Sequence, residues 1–565
     1  MRRILKTLIA GAALLASPAY AGRPCPDADA DGYKDVACGG TDCNDAAASV
    51  NPGAAEVCGD AVDNNCSGVV DEGCSGGSGP HAGLTWTGYA MCRGCHAQQA
   101  NDVFASGHYQ WNGAALYNVN DAGTTQGKYQ SSINSYCVNI LGNWDGINAA
   151  RAGACSACHV GRGLEPVAAS SAAQLDNIDC LICHQDGYKR KFDATTGQMV
   201  ADTAAMTITM DQAVQTLHRP TRASCLQCHA KAGGGDAVKR GDMALAQIAT
   251  TDGNYDVHMA TTRGDLKCTS CHAVQRHRIA GSGTDLRVVD LDVEMKCAQC
   301  HPTKETSTGH ATLKVNDHVG RVACQTCHIP RYARNAADTA ADEATEIHRD
   351  WAHTHNATPP IHPARTSAND LLPRYAFWNR YSNSGLLFDT PALDPATGAY
   401  PTSRPVGGIN DTASKLYPFK YKTSNVPFAT NRGQFIALDT STFFATGNAT
   451  QAVADGLVNM GYASSEPWTW VTSDTYQLVT HTVPPASGNV LGCASCHEST
   501  AQLNLAALGY VKKADLSVIC TQCHALRAWK GYAAGHDTHV TRKQKDCSIC
   551  HAFTRPERNL STVIR

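Results

Sequence analysis

Residues 177–191 read NIDCLICHQDGYKRK, and inside them Cys180, Cys183 and His184 form a C-x-x-C-H unit. The same unit recurs at Cys92/Cys95/His96, Cys155/Cys158/His159, Cys225/Cys228/His229, Cys268/Cys271/His272 and Cys297/Cys300/His301. It recurs again at Cys324/Cys327/His328, Cys493/Cys496/His497, Cys520/Cys523/His524 and Cys547/Cys550/His551, ten times in all. Two thiols three positions apart reach the two vinyl groups of one haem, and the histidine that follows reaches its iron from the proximal side. A zinc or redox C-x-x-C has no need of that histidine, so the repetition argues for ten haem c groups.

The 565-residue chain has 27 cysteines and 24 histidines. The motifs take twenty of the cysteines and ten of the histidines, and fourteen histidines remain for the distal faces of ten irons. That supply suffices for nearly all haems to be bis-His, an arrangement suited to low-potential electron transfer. The candidate distal ligands are His108, His258, His277, His310, His318, His481, His536 and His539. His348, His353, His355 and His362 are crowded together, and some of them must be surplus.

Charged residues make up 17% and aromatics 7%, which excludes an integral membrane protein and a polar disordered chain. A formal charge of -3 excludes a bulk basic footprint for nucleic acid. Residues 1–21 read as a signal peptide: Arg2, Arg3 and Lys6 precede the apolar run Leu8 to Ala16, and Ala19-Tyr20-Ala21 is the cleavage signal. The mature chain is expected to be exported to the periplasm or cell surface, where disulfides persist, without spanning a membrane.

Residues 22–76 form a small acidic, disulfide-rich module whose six cysteines, Cys25, Cys38, Cys43, Cys58, Cys66 and Cys74, leave the pairing open. A repeat offset by 36 residues aligns Asp27, Asp29, Asp31, Gly32, Asp35 and Cys38 with Asp63, Asn65, Ser67, Gly68, Asp71 and Cys74. Hard oxygen ligands at alternate positions with a turn glycine suit Ca2+, but the closing Glu of an EF-hand is absent. The module resembles the cysteine-rich, Asp-rich calcium modules of bacterial surface proteins and thrombospondin type 3 repeats. Its expected ligands are Asp27, Asp29, Asp31, Asp35, Asp63, Asn65 and Asp71.

Residues 77–91 are a linker, 92–500 a haem-bearing core and 501–565 a dihaem extension. Within the core, 329–492 has no motif and carries Trp351, Trp378, Trp468 and Trp470 among many Tyr and Pro. It reads as an irregular insertion wrapping the haems, with at most a few strands. The expected fold class is mainly α with much irregular structure. Short helices begin at motifs or carry distal histidines, and porphyrins supply most of the apolar interior.

SGHYQW (106–111), INSYCVNI (133–140), NIDCLICHQDGYKRK (177–191), CHAKAGGGDAVKRGD (228–242), DVHM (256–259) and RVACQTCHIPRYAR (321–334) resemble, in order, the octahaem tetrathionate reductase family of multihaem cytochromes c. The resemblance spans residues 90–500 and implies a haem core like that of hydroxylamine oxidoreductase. The first eight motifs, Cys92 through His497, match the family's complement; the last two and the calcium-type module are additions. The resemblance further implies one catalytic haem, at Cys155/Cys158/His159, whose iron takes Lys189 (or its neighbour Lys191) in place of a distal histidine. The pocket would also hold Cys137, Asp186 and Lys239. Cys137 is independently the odd cysteine, either buried and inert or a reactive thiol.

The chemistry expected is reduction of a small sulfur or nitrogen oxyanion. Lys189 and Lys239 would hold tetrathionate, the Cys137 thiolate would attack its sulfur–sulfur bond, and Asp186 would orient a lysine or relay a proton. Nitrite or hydroxylamine suits the same pocket. The alternative is a non-catalytic electron conduit, a respiratory wire or filament cytochrome. Redox partners would be other cytochromes or quinol-linked donors, and oligomers or filaments go with the conduit reading.

Overall fold

The computed structural model describes residues 27–34, 36, 40–57, 62–67, 80–120, 124–127, 129, 131–144, 157–282, 290–301, 310, 313–492, 494–497, 502–512, 532–545 and 549–552. The signal peptide, Cys25, Asp35, Cys38, Cys58, Asp71 and Cys74 lie outside the described residues, as do Cys155, Cys493, Cys520, Cys523, His524, Cys547 and the side chains of His497 and His551.

The chain divides into two compact units, residues 1–85 with 209–219, and residues 86–208 with 220–565. In the first, the backbone turns around its acids. Asp31 N–H donates to Oδ1 of both Asp27 and Asp29, and Ser67 N–H donates in the same way to Asp63 and Asn65. A disulfide joins Cys43 to Cys66, with 5.5 Å between the Cα atoms. The helix Met210–Gln215 is closed by a capping box between Thr209 and Gln212.

The second unit overturns the expectation of a mainly α fold with few strands. Residues inside 329–492 build a mixed sheet of eight strands. Its main path runs Ser382–Ser384, Tyr400–Pro405, Trp468–Leu478, Lys415–Ala429, Thr345–Thr354, Pro363–Ala368. Lys415–Ala429 is the axis: it pairs antiparallel with Trp468–Leu478 from Phe419↔Leu478 to Ala429↔Trp468, and parallel with Thr345–Thr354. Arg374–Trp378 and Gln434–Phe435 pair with the two ends of this long strand.

The physical reason the sheet is hard to read lies in its inner face. Alternate residues of a strand share a face, and along the middle of the long strand the buried ones are Lys420, Lys422 and Ser424. The neighbouring strands bury Glu346, Arg349, Thr475 and Gln477. Hydrophobic alternation is therefore missing where the sheet is deepest. At the far end the face turns apolar: Trp351, Val426, Phe428, Phe435 and Phe443 join the largest hydrophobic cluster. Helices Thr440–Thr446 and Ala449–Asn459 cover it, capped by Asp439 and Asn448. Gly456 permits that closeness, since a Cβ there would lie 2.3 Å from the Ala437 carbonyl oxygen.

The motif-bearing segment 92–328 contrasts with this. Its helices are four to eight residues long. One apolar cluster within it comprises only Phe104, Tyr109, Val160, Ile178 and Ile182. No helix among the described residues is long and apolar enough to cross a membrane.

Candidate functional site

Among the described residues, seven C-x-x-C-H motifs sit on short helical turns. Met91–Cys95, Leu181–His184, Arg222–His229, Cys324–His328 and Ala494–His497 are α-helical, and Cys268–Ser270 and Cys297–Gln299 are 3-10 turns. A helical turn brings residues i and i+3 to one side, which is what paired thioether attachment needs.

Five motif histidines face a second histidine remote in sequence. The ring-centre distances are 6.1 Å for His229–His108, 6.3 Å for His184–His277 and 6.0 Å for His301–His258. They are 6.1 Å for His272–His481 and 6.2 Å for His328–His310. An iron bonded to an imidazole nitrogen on each side at about 2 Å holds the ring centres about 6 Å apart. The donor set and its spacing therefore fit bis-His haem iron.

Several rings are oriented from behind. Nδ1 of His272 lies 2.7 Å from the Ala280 carbonyl, Nδ1 of His310 lies 2.8 Å from Asn316 Oδ1, and Nδ1 of His481 lies 3.2 Å from Asp242 Oδ2. Such contacts fix the tautomer that leaves Nε2 for a metal. Burial lowers the pKa of His108, His272 and His328, and lowers that of His229 to about 4. Each imidazole is thus held in its neutral, ligating form.

Attachment thiols of different motifs also meet. Side-chain hydrogen bonds join Cys92 to Cys180, Cys158 to Cys228, Cys225 to Cys268 and Cys297 to Cys324. Haems held at these motifs would approach edge to edge, the arrangement of a relay.

Other expected attachment residues take no part in these four contacts or in the five imidazole pairs. His96 is exposed and links two helices. Its N–H donates to the Cys92 carbonyl at 2.8 Å, and its own carbonyl accepts from Ala100 N–H at 3.0 Å. Among the second cysteines of the motifs, Cys95, Cys271 and Cys300 are exposed, and Cys183, Cys327, Cys496 and Cys550 are half-buried. Cys300 ends the Cys297–Gln299 turn, and Cys496 lies on the Ala494–His497 helix. The Cys327 carbonyl accepts from Leu491 N–H at 3.0 Å, which ties its motif to the chain leading into the eighth. Cys550 sits in a turn just before the short strand His551–Ala552. A thiol that bonds a porphyrin faces the cofactor and not the polypeptide interior, and the exposure of Cys95, Cys271 and Cys300 suits that role.

His159 behaves differently. Its Nε2 lies 2.7 Å from the Tyr109 carbonyl oxygen, and Gly161 N–H donates to its Nδ1. Tyr109, Trp111 and Trp144 ring it at centre distances of 5.4, 5.0 and 5.1 Å. Burial lowers its pKa to about 4. Both ring nitrogens are engaged by backbone, so this side chain, as placed, does not fit an iron as the five pairs do.

The four residues expected in the catalytic pocket fall into two groups. Asp186 accepts from Thr221 Oγ1 at 2.7 Å and Ser224 Oγ at 2.9 Å, at the start of the Arg222–His229 helix. Lys189 Nζ donates to the Asp186 carbonyl at 3.0 Å, and the neighbouring Lys191 pairs with Asp202. A cavity of about 260 Å³ opens beside Asp186, Thr221, Arg222 and Lys267.

Cys137 and Lys239 belong to the other group, gathered on Tyr136. Cys137 is 8% exposed. Lys239 Nζ, Lys422 Nζ and Arg349 Cζ lie 5.3, 3.9 and 5.2 Å from the Tyr136 ring centre. The charged face of the sheet holds this region in place. Lys422 Nζ pairs with Glu346 at 3.0 Å and donates to the Ser135 carbonyl at 2.5 Å. Arg349 donates to the Tyr136 and Gly233 carbonyls and pairs with Glu346 at 2.7 Å. Lys420 donates to the Val238 and Lys239 carbonyls and to Thr345 Oγ1, and Tyr136 OH donates to the Lys239 carbonyl.

Burial lowers the Lys422 pKa to about 8, while Glu346 and the Cys137 thiol act against that shift. Burial would raise the Glu346 carboxyl, but Lys422 and Arg349 outweigh it and hold it below its ordinary value. Sequence reasoning missed Tyr136, Glu346, Arg349, Lys420 and Lys422. Their signal was the spacing of Lys420 and Lys422 in a β-branched and aromatic stretch, two lysines on one strand face.

Of the remaining expected distal ligands, His318 ends the helix Leu313–His318, and His536 and His539 lie on consecutive helical segments, Tyr532–His536 and Asp537–Arg542. Among the crowded histidines, His353 pairs with Asp350 at 2.6 Å and His348 Nδ1 lies 2.8 Å from Thr423 Oγ1.

Comparison with known proteins gives four matches. A family model described as bacterial cytochrome c matches residues 346–500, and one described as a putative metal-binding motif matches residues 42–72. A protein of Archaeoglobus fulgidus described as uncharacterized is 29% identical over 250 residues, 36% of this chain and 79% of its own. The crystal structure of the octahaem cytochrome c from Shewanella oneidensis superposes with a TM-score of 0.60 at 25% identity, covering 74% of this chain and 92% of that one. The chain thus shares its fold with a multihaem cytochrome.

Proposed function

We propose that this chain is a multihaem c-type cytochrome that relays electrons and reduces a small sulfur or nitrogen oxyanion beside Cys137. The observation that carries the electron-transfer reading is the set of five imidazole pairs, each joining a C-x-x-C-H histidine to a remote one at the span of a bis-His iron. The likeness to an octahaem cytochrome and the bacterial cytochrome c match support it. Ten haems follow from ten motifs; when bound, they supply one-electron storage and exchange. Export to the periplasm or cell surface, calcium in the N-terminal module and redox partners among cytochromes or quinol-linked donors belong to the same reading.

The oxyanion reading rests on a buried thiol among cations. Lys239 and Arg349 favour an anion near Tyr136. With tetrathionate, the Cys137 thiolate attacks the central sulfur–sulfur bond, releasing one thiosulfate and leaving the other half bonded to Cys137 Sγ. Two electrons then break that bond, release the second thiosulfate and restore the thiolate. Nitrite and hydroxylamine are the nitrogen counterparts. Lys189 remains the lysine that the resemblance assigns to the iron of the Cys155/Cys158/His159 motif, with Asp186 beside it.

A second reading, a conduit without catalysis, is favoured by the backbone contacts that engage both nitrogens of His159. Anaerobic reoxidation of the reduced protein by tetrathionate, nitrite and hydroxylamine separates the two. Multi-turnover reoxidation by tetrathionate that falls about 100-fold or more in Cys137→Ala is expected. Slow reoxidation by all three, equal in both proteins, would leave the conduit.

A further inference from the structure

We infer that Asp42 closes a Ca2+ site whose other carboxylates come from the Asp27–Asp31 turn. This rests on the calcium reading of the N-terminal module and adds to it a ligand that occupies no position of the repeat. Asp27 commits both oxygens to backbone, accepting from Asp31 and Gly32 N–H, and the other acids commit one each. Asp29 Oδ1 accepts from Asp31 N–H, Asp31 Oδ1 from Tyr33 N–H, Asp42 Oδ1 from Asn44 N–H and Asp45 Oδ1 from Ala28 N–H. The second oxygens of Asp29, Asp31 and Asp42 are buried and have no hydrogen-bond partner. Asp42 is 0% exposed.

One ligand oxygen from each of Asp29, Asp31 and Asp42 lies within 4.8 Å of the others, and Asp27, Asp29 and Asp45 form a second such group through the shared Asp29. A buried carboxylate without a partner is costly, and three that converge repel one another. A cation between them removes both costs. Oxygens bound to one Ca2+ at 2.3–2.6 Å stand at most about 5 Å apart, so oxygens within 4.8 Å of one another can share it. Mg2+ demands a near-ideal octahedron at 2.0–2.1 Å and keeps several of its waters, so a set of converging carboxylates suits it less. The donors are all oxygen, since Cys43 and Cys66 are spent on a disulfide, so a soft ion such as Cu(I) is disfavoured. Asp42 adjoins the Cys43–Cys66 bridge, so a cation gripped there fastens the first acidic turn to the cross-link.

The test is equilibrium dialysis of the full-length, disulfide-intact protein against Ca2+, with Mg2+ as competitor. Asp42→Asn and Asp29→Asn are each expected to weaken one bound Ca2+ at least about tenfold, whereas Asp63→Asn keeps it and equimolar Mg2+ does not displace it. Labelling that finds Cys43 and Cys66 as unreactive as in the wild type shows the variants folded, and Asp29→Asn, at a half-exposed position, serves if Asp42→Asn does not fold. A wild-type protein that binds no Ca2+ overturns both the site and the calcium reading. Ca2+ retained in Asp42→Asn and Asp29→Asn but lost in Asp63→Asn overturns the Asp42 site alone.

Discussion

Residues 92–208 with 220–328, and residues 345–478, sit in one compact unit and are held together by different means. The first has six attachment motifs on short helical turns among the described residues, and small apolar clusters. The second has an eight-stranded sheet with a hydrophobic end around Trp351, Phe435 and Phe443 and a charged end around Glu346, Arg349 and Lys422. The sheet segment has a large apolar interior of its own, whereas the motif segment has only small apolar clusters. The loops carrying Cys137 and Lys239 are gripped by the charged end of the sheet. Those two loops are therefore positioned by the part of the chain that has no attachment motif.

The strongest way to break this contrast is to withhold haem. Chain produced without haem attachment is expected to lose residues 92–328 to limited proteolysis while a fragment containing 345–478 resists; uniform digestion of both would erase the distinction. Next in size is the charged end itself. Lys422→Ala leaves Glu346 with one of its two cationic partners gone, and should cost about 3–5 kcal/mol in denaturant unfolding. Replacing Glu346 by Leu as well would leave Arg349 buried without its carboxylate, so Lys422→Met with Glu346→Leu should not recover that loss. A loss under about 1 kcal/mol for Lys422→Ala would mean that the buried pair does not hold the sheet.

The smallest effect sharpens the join between the two regions. Tyr255 of the motif segment donates to Glu343, just before the sheet, at 2.5 Å. Burial raises the Glu343 carboxyl to about 7, with the Tyr255 hydrogen bond opposing. The folded state then holds this proton more tightly than the unfolded chain, whose value is 4.5. The contribution to stability is complete below pH 4.5, is lost as pH rises through about 7, and is flat above. It should amount to on the order of 1–2 kcal/mol after screening. Denaturation midpoints of wild type and Glu343→Gln, measured across that window, check it; identical slopes would remove Glu343 from the join.

The attachment motifs are legible because covalent chemistry fixes their spacing along the chain. The pairing of histidines is not, because His272 meets His481 and His108 meets His229 only after folding. The sheet escaped for a related reason. Its central strand buries Lys420 and Lys422, so the pattern that marks a half-buried strand was inverted where it mattered. The apolar end, with Val426 and Phe428, was in plain view but too short to outweigh the prolines and turn residues around it. The sequence left Cys137 open between an inert and a reactive thiol; its burial beside Tyr136 and Lys422 became visible only with the sheet. Asp42 lay outside the repeat, and only the burial of its unpartnered oxygen singles it out.

The meeting of thiols from different motifs has a consequence for biogenesis. In the folded chain Cys92 touches Cys180, Cys158 touches Cys228, Cys225 touches Cys268 and Cys297 touches Cys324. Any oxidant that reaches these sulfurs before they are alkylated can weld two haem stations into one crossed disulfide and leave both barren. The chain is thus safest when each station is filled while still extended, and compaction that runs ahead of cofactor ligation turns the relay's tight spacing into a trap.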